Sequence, residues 1–232
     1  MILRFSGAMR HAIMALTAAA LLPVAAWADG PGYTYVGVTY EWTDVKFGVD
    51  PSNDSDFNNG DFEGINFEAS LGILSWLHIA GEYFDGDCND CGTINDNPTD
   101  LDYSGYQVGL GYNQSLGFIA DSWADTDFIL RANYVDVELD NVDDDGYSVM
   151  AQIRSQVSER AEVQIGYQYQ DLGDSINKVE NRDLTVGLLY RVWDGIALSA
   201  RAIVFDDDTG FDLGFRWYFG NLIFGDRDSI VR

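Results

Sequence analysis

The stretch "AEVQIGYQYQ" (residues 161–170) changes character at every step. Ala161, Val163, Ile165, Tyr167 and Tyr169 are apolar or aromatic, while Glu162, Gln164, Gly166, Gln168 and Gln170 between them are polar or glycine. A period of two is the signature of a strand, because successive side chains leave opposite sides of the pleat. The polar face is unusual. Long hydrogen-bonding side chains grouped around a glycine suit a crowded polar interior better than open water.

The pattern recurs in both directions along the chain. Val36, Val38, Tyr40 and Trp42 alternate with Gly37, Thr39 and Glu41, and Ile65 to Ile73 alternate with Gly64 to Gly72. Tyr106, Val108, Leu110 and Tyr112 oppose Gln107, Gly109, Gly111 and Asn113. Segments starting near Leu77, Phe128, Tyr147, Leu184, Ile196 and Phe211 behave alike, which predicts ten strands. Eight is the alternative, if two of these segments are loop hairpins. One shape, apolar-Gly-apolar-any-aromatic, appears as "VGVTY" (36–40), "VGLGY" (108–112), "IGYQY" (165–169), "VGLLY" (186–190) and "LGFRW" (213–217).

Links between the segments alternate between short turns and long polar stretches. Short ones lie near Leu74–Trp76, Ser155–Arg160 and Arg191–Gly195, and the link from Gln114 to Thr126 is longer. On the other side stand "KFGVDPSNDSDFNNGD", "FDGDCNDCGTINDNPTD", "DNVDDDG", "DLGDSINKVENR" and "DDDTG", rich in the residues that make turns. An even number of antiparallel strands with short turns at one end and long loops at the other describes an all-β, up-and-down transmembrane barrel. In that reading the repeated glycines face a narrow lumen, the flanking apolar residues face lipid, and the aromatics sit at headgroup depth. With the first strand running outward, Tyr40 and Tyr169 belong to the outer belt and Tyr112, Tyr190 and Trp217 to the periplasmic belt. A soluble sandwich or lipocalin-like barrel would turn its apolar face inward instead.

Residues 1–28 read as an export signal: Arg4 and Arg10, an apolar run from Ala12 to Ala26, then Ala26-Trp27-Ala28. Without them the chain holds 11 Lys and Arg against 38 Asp and Glu, a net charge of −27. That balance excludes nucleic acid as a partner and points to cations or a cation-bridged surface. The expected organisation is a signal peptide at 1–28, a barrel at 29–219 and a C-terminal extension at 220–232.

Residues 212–219, Asp-Leu-Gly-Phe-Arg-Trp-Tyr-Phe, resemble the assembly signal of outer-membrane barrels, with Asp212, Gly214, Trp217 and Phe219 in its four fixed places. With the export signal and the alternation, the chain resembles the small bacterial outer-membrane β-barrel protein family, sometimes described as porin-like. The resemblance covers residues 29–219 and departs from the family pattern at the tail "GNLIFGDRDSIVR", since members usually end on the final aromatic. It implies a place in the cell outer membrane among lipid and lipopolysaccharide, delivery by the barrel assembly machinery, and a monomer.

Alternation assigns Glu41, Glu68, Glu82, Glu162 and Asp212, with Arg131, Arg154, Arg191, Arg201 and Arg216, to one inner wall. Arginine's planar fork suits carboxylates, so these ten predict an ion-pair network across the lumen. Such a network seals the barrel; acids and bases segregated by height would instead select ions. His78, alone in the exported part, faces the periplasmic end of the lumen, away from where barrel hydrolases keep their histidines, and no Ser/His/Asp arrangement is legible. Cys88 and Cys91 in "CNDC" predict a disulfide in an oxidising compartment. Asp54-x-Asp56 and Asp85-x-Asp87 are weak starts of calcium loops with glycine placed late. The expected function is a non-enzymatic envelope protein with acidic outer loops and no cofactor beyond Ca²⁺ or Mg²⁺ at those loops. A small cation-selective channel is the alternative, ahead of an outer-membrane hydrolase.

Overall fold

The computed structural model describes residues 33–45, 60–94, 97–120, 125–139, 142–173, 179–205 and 209–220. They form ten strands: β1 Thr34–Val45, β2 Gly60–Leu74, β3 Leu77–Ile94, β4 Asn97–Ser115, β5 Thr126–Leu139, β6 Val142–Gln156, β7 Ala161–Leu172, β8 Val179–Trp193, β9 Ile196–Phe205 and β10 Thr209–Gly220. Each pairs antiparallel with its chain neighbours, and β10 closes back on β1 through Thr39↔Gly214 and Glu41↔Asp212. Closure satisfies the backbone of every strand without leaving an edge, the condition for β-structure in hydrocarbon. The count is ten, not eight.

The outside is apolar and the inside polar. In β4, Tyr106, Val108, Leu110 and Tyr112 are exposed on the outer surface, while Asn113 is buried. In β7 the buried residues Glu162, Gln164 and Gly166 alternate with Ile165 and Tyr167, which are exposed. A soluble protein would invert this arrangement. The short turns lie at the end that also holds Thr34 and Gly220, the periplasmic end in outer-membrane barrels. Ser75 and Trp76 alone join β2 to β3, and Asp194 and Gly195 join β8 to β9. Gly195 takes φ 84°, a left-handed conformation that glycine adopts without a Cβ penalty.

One expected loop is largely strand. "FDGDCNDCGTINDNPTD" carries β3 to Ile94 and starts β4 at Asn97, with Asp85↔Ser104, Cys88↔Leu101 and Gly92↔Thr99 still in register. A register shift between Cys88 and Gly92 absorbs the irregularity. Gly86 and Cys88 still alternate there with the exposed Asp85 and Asp87, a period hidden by turn-forming composition. β10 ends at Gly220. The expected signal peptide, the tail after Gly220, and Asp54 and Asp56 lie outside the described residues.

Candidate functional site: the inner wall

The repeated glycines face neighbouring strands' polar side chains. Gly37 stands opposite Glu68, Gly109 opposite Asn133, Gly111 opposite His78, Gly166 opposite Thr185 and Gly187 opposite Gln164. A Cβ on Gly37 would lie 2.5 Å from Glu68 Oε1, and one on Gly111 would meet the His78 ring. At Gly37, Gly111 and Gly187 the missing side chain leaves room for Glu68, His78 and Gln164 to lie across the strand, which is how a narrow barrel packs its interior.

Ion pairs between described residues occupy this wall. Arg216 forks onto Glu68, with Nη2 donating to Oε2 at 2.9 Å and Nε to Oε1, and the pair bridges β10 and β2 over Gly37. Arg131 Nη2 donates to Glu82 Oε1 at 2.7 Å, and Gln107 Nε2 donates to the other Glu82 oxygen at 2.6 Å. Gln107 Oε1 in turn accepts from Asn133 Nδ2 at 3.1 Å, and Asn133 also reaches Ser148 Oγ at 2.8 Å. Arg154 Nε meets Glu162 Oε1 at 2.8 Å, and Arg201 Nε meets Asp212 Oδ2 at 2.5 Å. Asp212 and Arg154 are almost wholly buried. Charges taken from water at such cost persist where they are paired and hydrogen-bonded.

Two of the ten sequence-selected charges stand outside these four pairs. Glu41 is opposite Asp212 in the register and accepts from Thr43 Oγ1 at 3.1 Å. Arg191 lies at the periplasmic rim, where its Nη1 donates to the Glu159 carbonyl at 3.4 Å. Arg191 also lines, with Arg160, Glu162 and Tyr218, a shallow recess that opens to solvent.

Toward the periplasm, aromatic rings lie among the ion pairs, an arrangement that alternation alone does not reveal. Tyr33, just before β1, stacks on His78 with centroids 5.1 Å apart, and its hydroxyl donates to the fully buried Asp127 at 2.7 Å. The Arg154 guanidinium lies 5.2 Å from the Tyr33 ring and that of Arg216 4.6 Å from the Tyr35 ring, within cation–π range. His78 Nδ1 is 3.1 Å from Asn113 Oδ1, and Asn113 Nδ2 donates to the Ser75 carbonyl at 2.6 Å. These contacts of His78 are an amide and a phenol ring, which hold it in place.

Above the pairs the same wall turns apolar. Val135, Val137 and Leu172 are buried together with Phe84 and Tyr103 against them. Phe84 stacks on Tyr103 at 4.9 Å, and Phe62 meets Tyr103 edge-on at 5.3 Å. Rings and ion pairs thus share the periplasmic half of the lumen, and the apolar cluster lies nearer its outer end.

On the lipid side, tyrosines of the outer belt reach carboxylates at the rim. Tyr40 donates to Glu63 at 2.9 Å, Tyr147 to Asp171 at 3.1 Å, and Tyr106 and Tyr134 both to Asp136 at 3.4 Å. Asp85 and Asp87 are exposed on this outward side of β3, and among the described residues no group of three or more potential ligands could hold a metal ion. Cys88 is buried and no described cysteine is free; the side chain of Cys91 lies outside the described residues. Of the four residues expected to form an assembly signal, Asp212 pairs with Arg201, Gly214 faces Thr39, Trp217 is exposed toward lipid, and Phe219 is buried 5.0 Å from the Trp217 ring.

Residues 14–191 match the model of the family described as "Outer membrane protein beta-barrel domain". No curated relative matches the sequence. Among solved structures, the chain is similar to the beta domain of the Bordetella autotransporter BrkA, at 10% identity and a TM-score of 0.50, covering 81% of this chain and 99% of that one. It is also similar to the translocator domain of autotransporter NalP from Neisseria meningitidis, at 11% identity and 0.49, covering 91% and 97%. The KdgM porin in complex with disordered oligogalacturonate gives 11% identity and 0.45, covering 80% and 99%. The likeness to the Bordetella domain is one of fold.

Proposed function

The chain belongs to the outer membrane protein beta-barrel domain family, and from that premise we propose that it is a sealed, non-enzymatic barrel whose outer loops, not its lumen, carry its role in the envelope. The observation that supports this is the intimate pairing of the lumen charges. A selective pore needs charge exposed to the permeating ion, with acids and bases set apart. Here Arg131, Arg154, Arg201 and Arg216 each touch a carboxylate, and an apolar layer lies above them. A hydrolytic role has no support in the amide-held, ring-stacked His78.

In this reading the acidic rim works at the surface as a monomer among lipopolysaccharide molecules, joined to their phosphates through Ca²⁺ or Mg²⁺. A Cys88–Cys91 disulfide pins the short irregular stretch of β3 between Cys88 and Gly92. The test is conductance of the refolded mature protein in a planar bilayer, after heat-dependent gel mobility has shown a folded barrel. A silent wild type with leaky Arg131→Ala and Glu68→Ala variants is the expected result. Discrete, cation-selective steps from the wild type would overturn the sealed barrel and make these side chains the constriction of a small channel.

A further inference from the structure

The periplasmic end carries large apolar side chains where short polar turns would suffice. Trp76 projects from the β2–β3 turn, Phe118 and Ile119 from the link after β4, Val157 from the turn after β6, and Trp193 from the end of β8. Phe118 is 75% exposed and Trp193 71%, the highest values among the large hydrophobic residues described. We infer that residues 116–120 form a membrane anchor, with Phe118 and Ile119 lodged in the headgroup region of the periplasmic phospholipid leaflet.

Three observations favour lipid over a protein as the occupant. The patch is continuous with the lipid-facing belt: the Trp76 ring lies 6.3 Å from that of Tyr112, and Asn113 N donates to the Trp76 carbonyl at 2.9 Å. Segment 116–120 leaves β4 just below that contact. The apolar side chains recur at all four periplasmic connections, spread around the circumference. A protein partner covers one sector, whereas lipid surrounds the whole barrel.

The segment is also built to project its side chains. Leu116 N donates to Thr126 O at 2.7 Å, Ile119 N to Leu116 O at 2.9 Å, and Gly117 N to Ser115 Oγ at 3.3 Å. Internal hydrogen bonds lower the penalty for bringing its backbone near hydrocarbon. Residues 115–120, Ser-Leu-Gly-Phe-Ile-Ala, contain no charge to desolvate, and an apolar turn flanked by aromatic residues suits the interface.

The experiment places a bimane label on Phe118→Cys in a Cys88→Ser, Cys91→Ser background, refolded into phosphatidylethanolamine–phosphatidylglycerol vesicles. A label at Glu159→Cys, in the exposed β6–β7 turn, serves as the reference. Lipid insertion gives blue-shifted emission, quenching by acyl chains brominated near the headgroup, and severalfold weaker iodide quenching than at Glu159→Cys. Iodide quenching equal to the reference overturns the anchor. A second arm keeps both native cysteines: Phe118→Asp should lower the urea midpoint in vesicles while Phe118→Trp keeps it. Equal midpoints for the two variants also overturn the inference.

Discussion

At Gly37 the inner wall depends on a side chain that is missing. Arg216 and Glu68 belong to strands on either side of β1, and their pair crosses it because nothing projects from Gly37. Gly37→Val forces the pair apart, and overpacking of this kind costs about 1–3 kcal/mol. Removing one partner costs more. Arg216→Ala leaves Glu68 buried beside aromatic rings, so urea unfolding in vesicles should show a loss of about 3–5 kcal/mol. Arg216→Met combined with Glu68→Leu removes both charges and should recover most of it, since apolar replacement of a whole pair is often neutral. A double variant as unstable as Arg216→Ala would mean that packing of the guanidinium on Tyr35, not charge, holds the site. Sequence parity was enough to put Glu68 and Arg216 on one wall. Their meeting was not legible, because they lie 148 residues apart and become neighbours only when β10 closes on β1.

Within single strands, alternation tells which side a residue faces but not what surrounds it at each height. β5 turns Asp127, Ile129, Arg131, Asn133, Val135 and Val137 to the same lumen, mixing charged and apolar side chains near the periplasm and apolar alone beyond Asn133. Alternation therefore suffices for the strands and the inward charges, whereas the apolar part of the lumen departs from the polar interior that it predicts. Phe84, Val135, Val137 and Leu172 had the inward parity all along; their apolar character gave no reason to set them apart from lipid-facing neighbours. The β3–β4 hairpin shows the converse error, where Asp, Asn and Gly suggested a loop although backbone pairing runs on to Ile94. If the apolar layer is a true packed core, Leu172→Ala should cost about 2–5 kcal/mol in the same unfolding assay. A loss under about 1 kcal/mol, little more than one buried methylene, would mean that the layer is loosely filled.

For the whole barrel, the distribution of charge separates stability from insertion. Four arginines are committed to lumen pairs, so the acidic surplus falls largely on the rim, where Glu63, Asp85, Asp87, Glu138 and Asp145 are exposed. Buried pairs are screened little by salt, whereas exposed charges are screened beyond about 30 Å at 0.01 M and about 8 Å at 0.15 M. The urea midpoint of the folded barrel should therefore change little between those salt concentrations. Insertion should not behave so, because an anionic chain must approach the membrane before its arginines find their partners. Into vesicles containing phosphatidylglycerol, NaCl should accelerate folding severalfold, followed by tryptophan fluorescence and gel mobility, while purely zwitterionic vesicles show a weaker response. Mg²⁺ at matched ionic strength adds a discriminating arm. A further acceleration indicates carboxylates bridged to lipid phosphates, whereas a rate equal to that in NaCl reduces the rim to a screened, solvated surface.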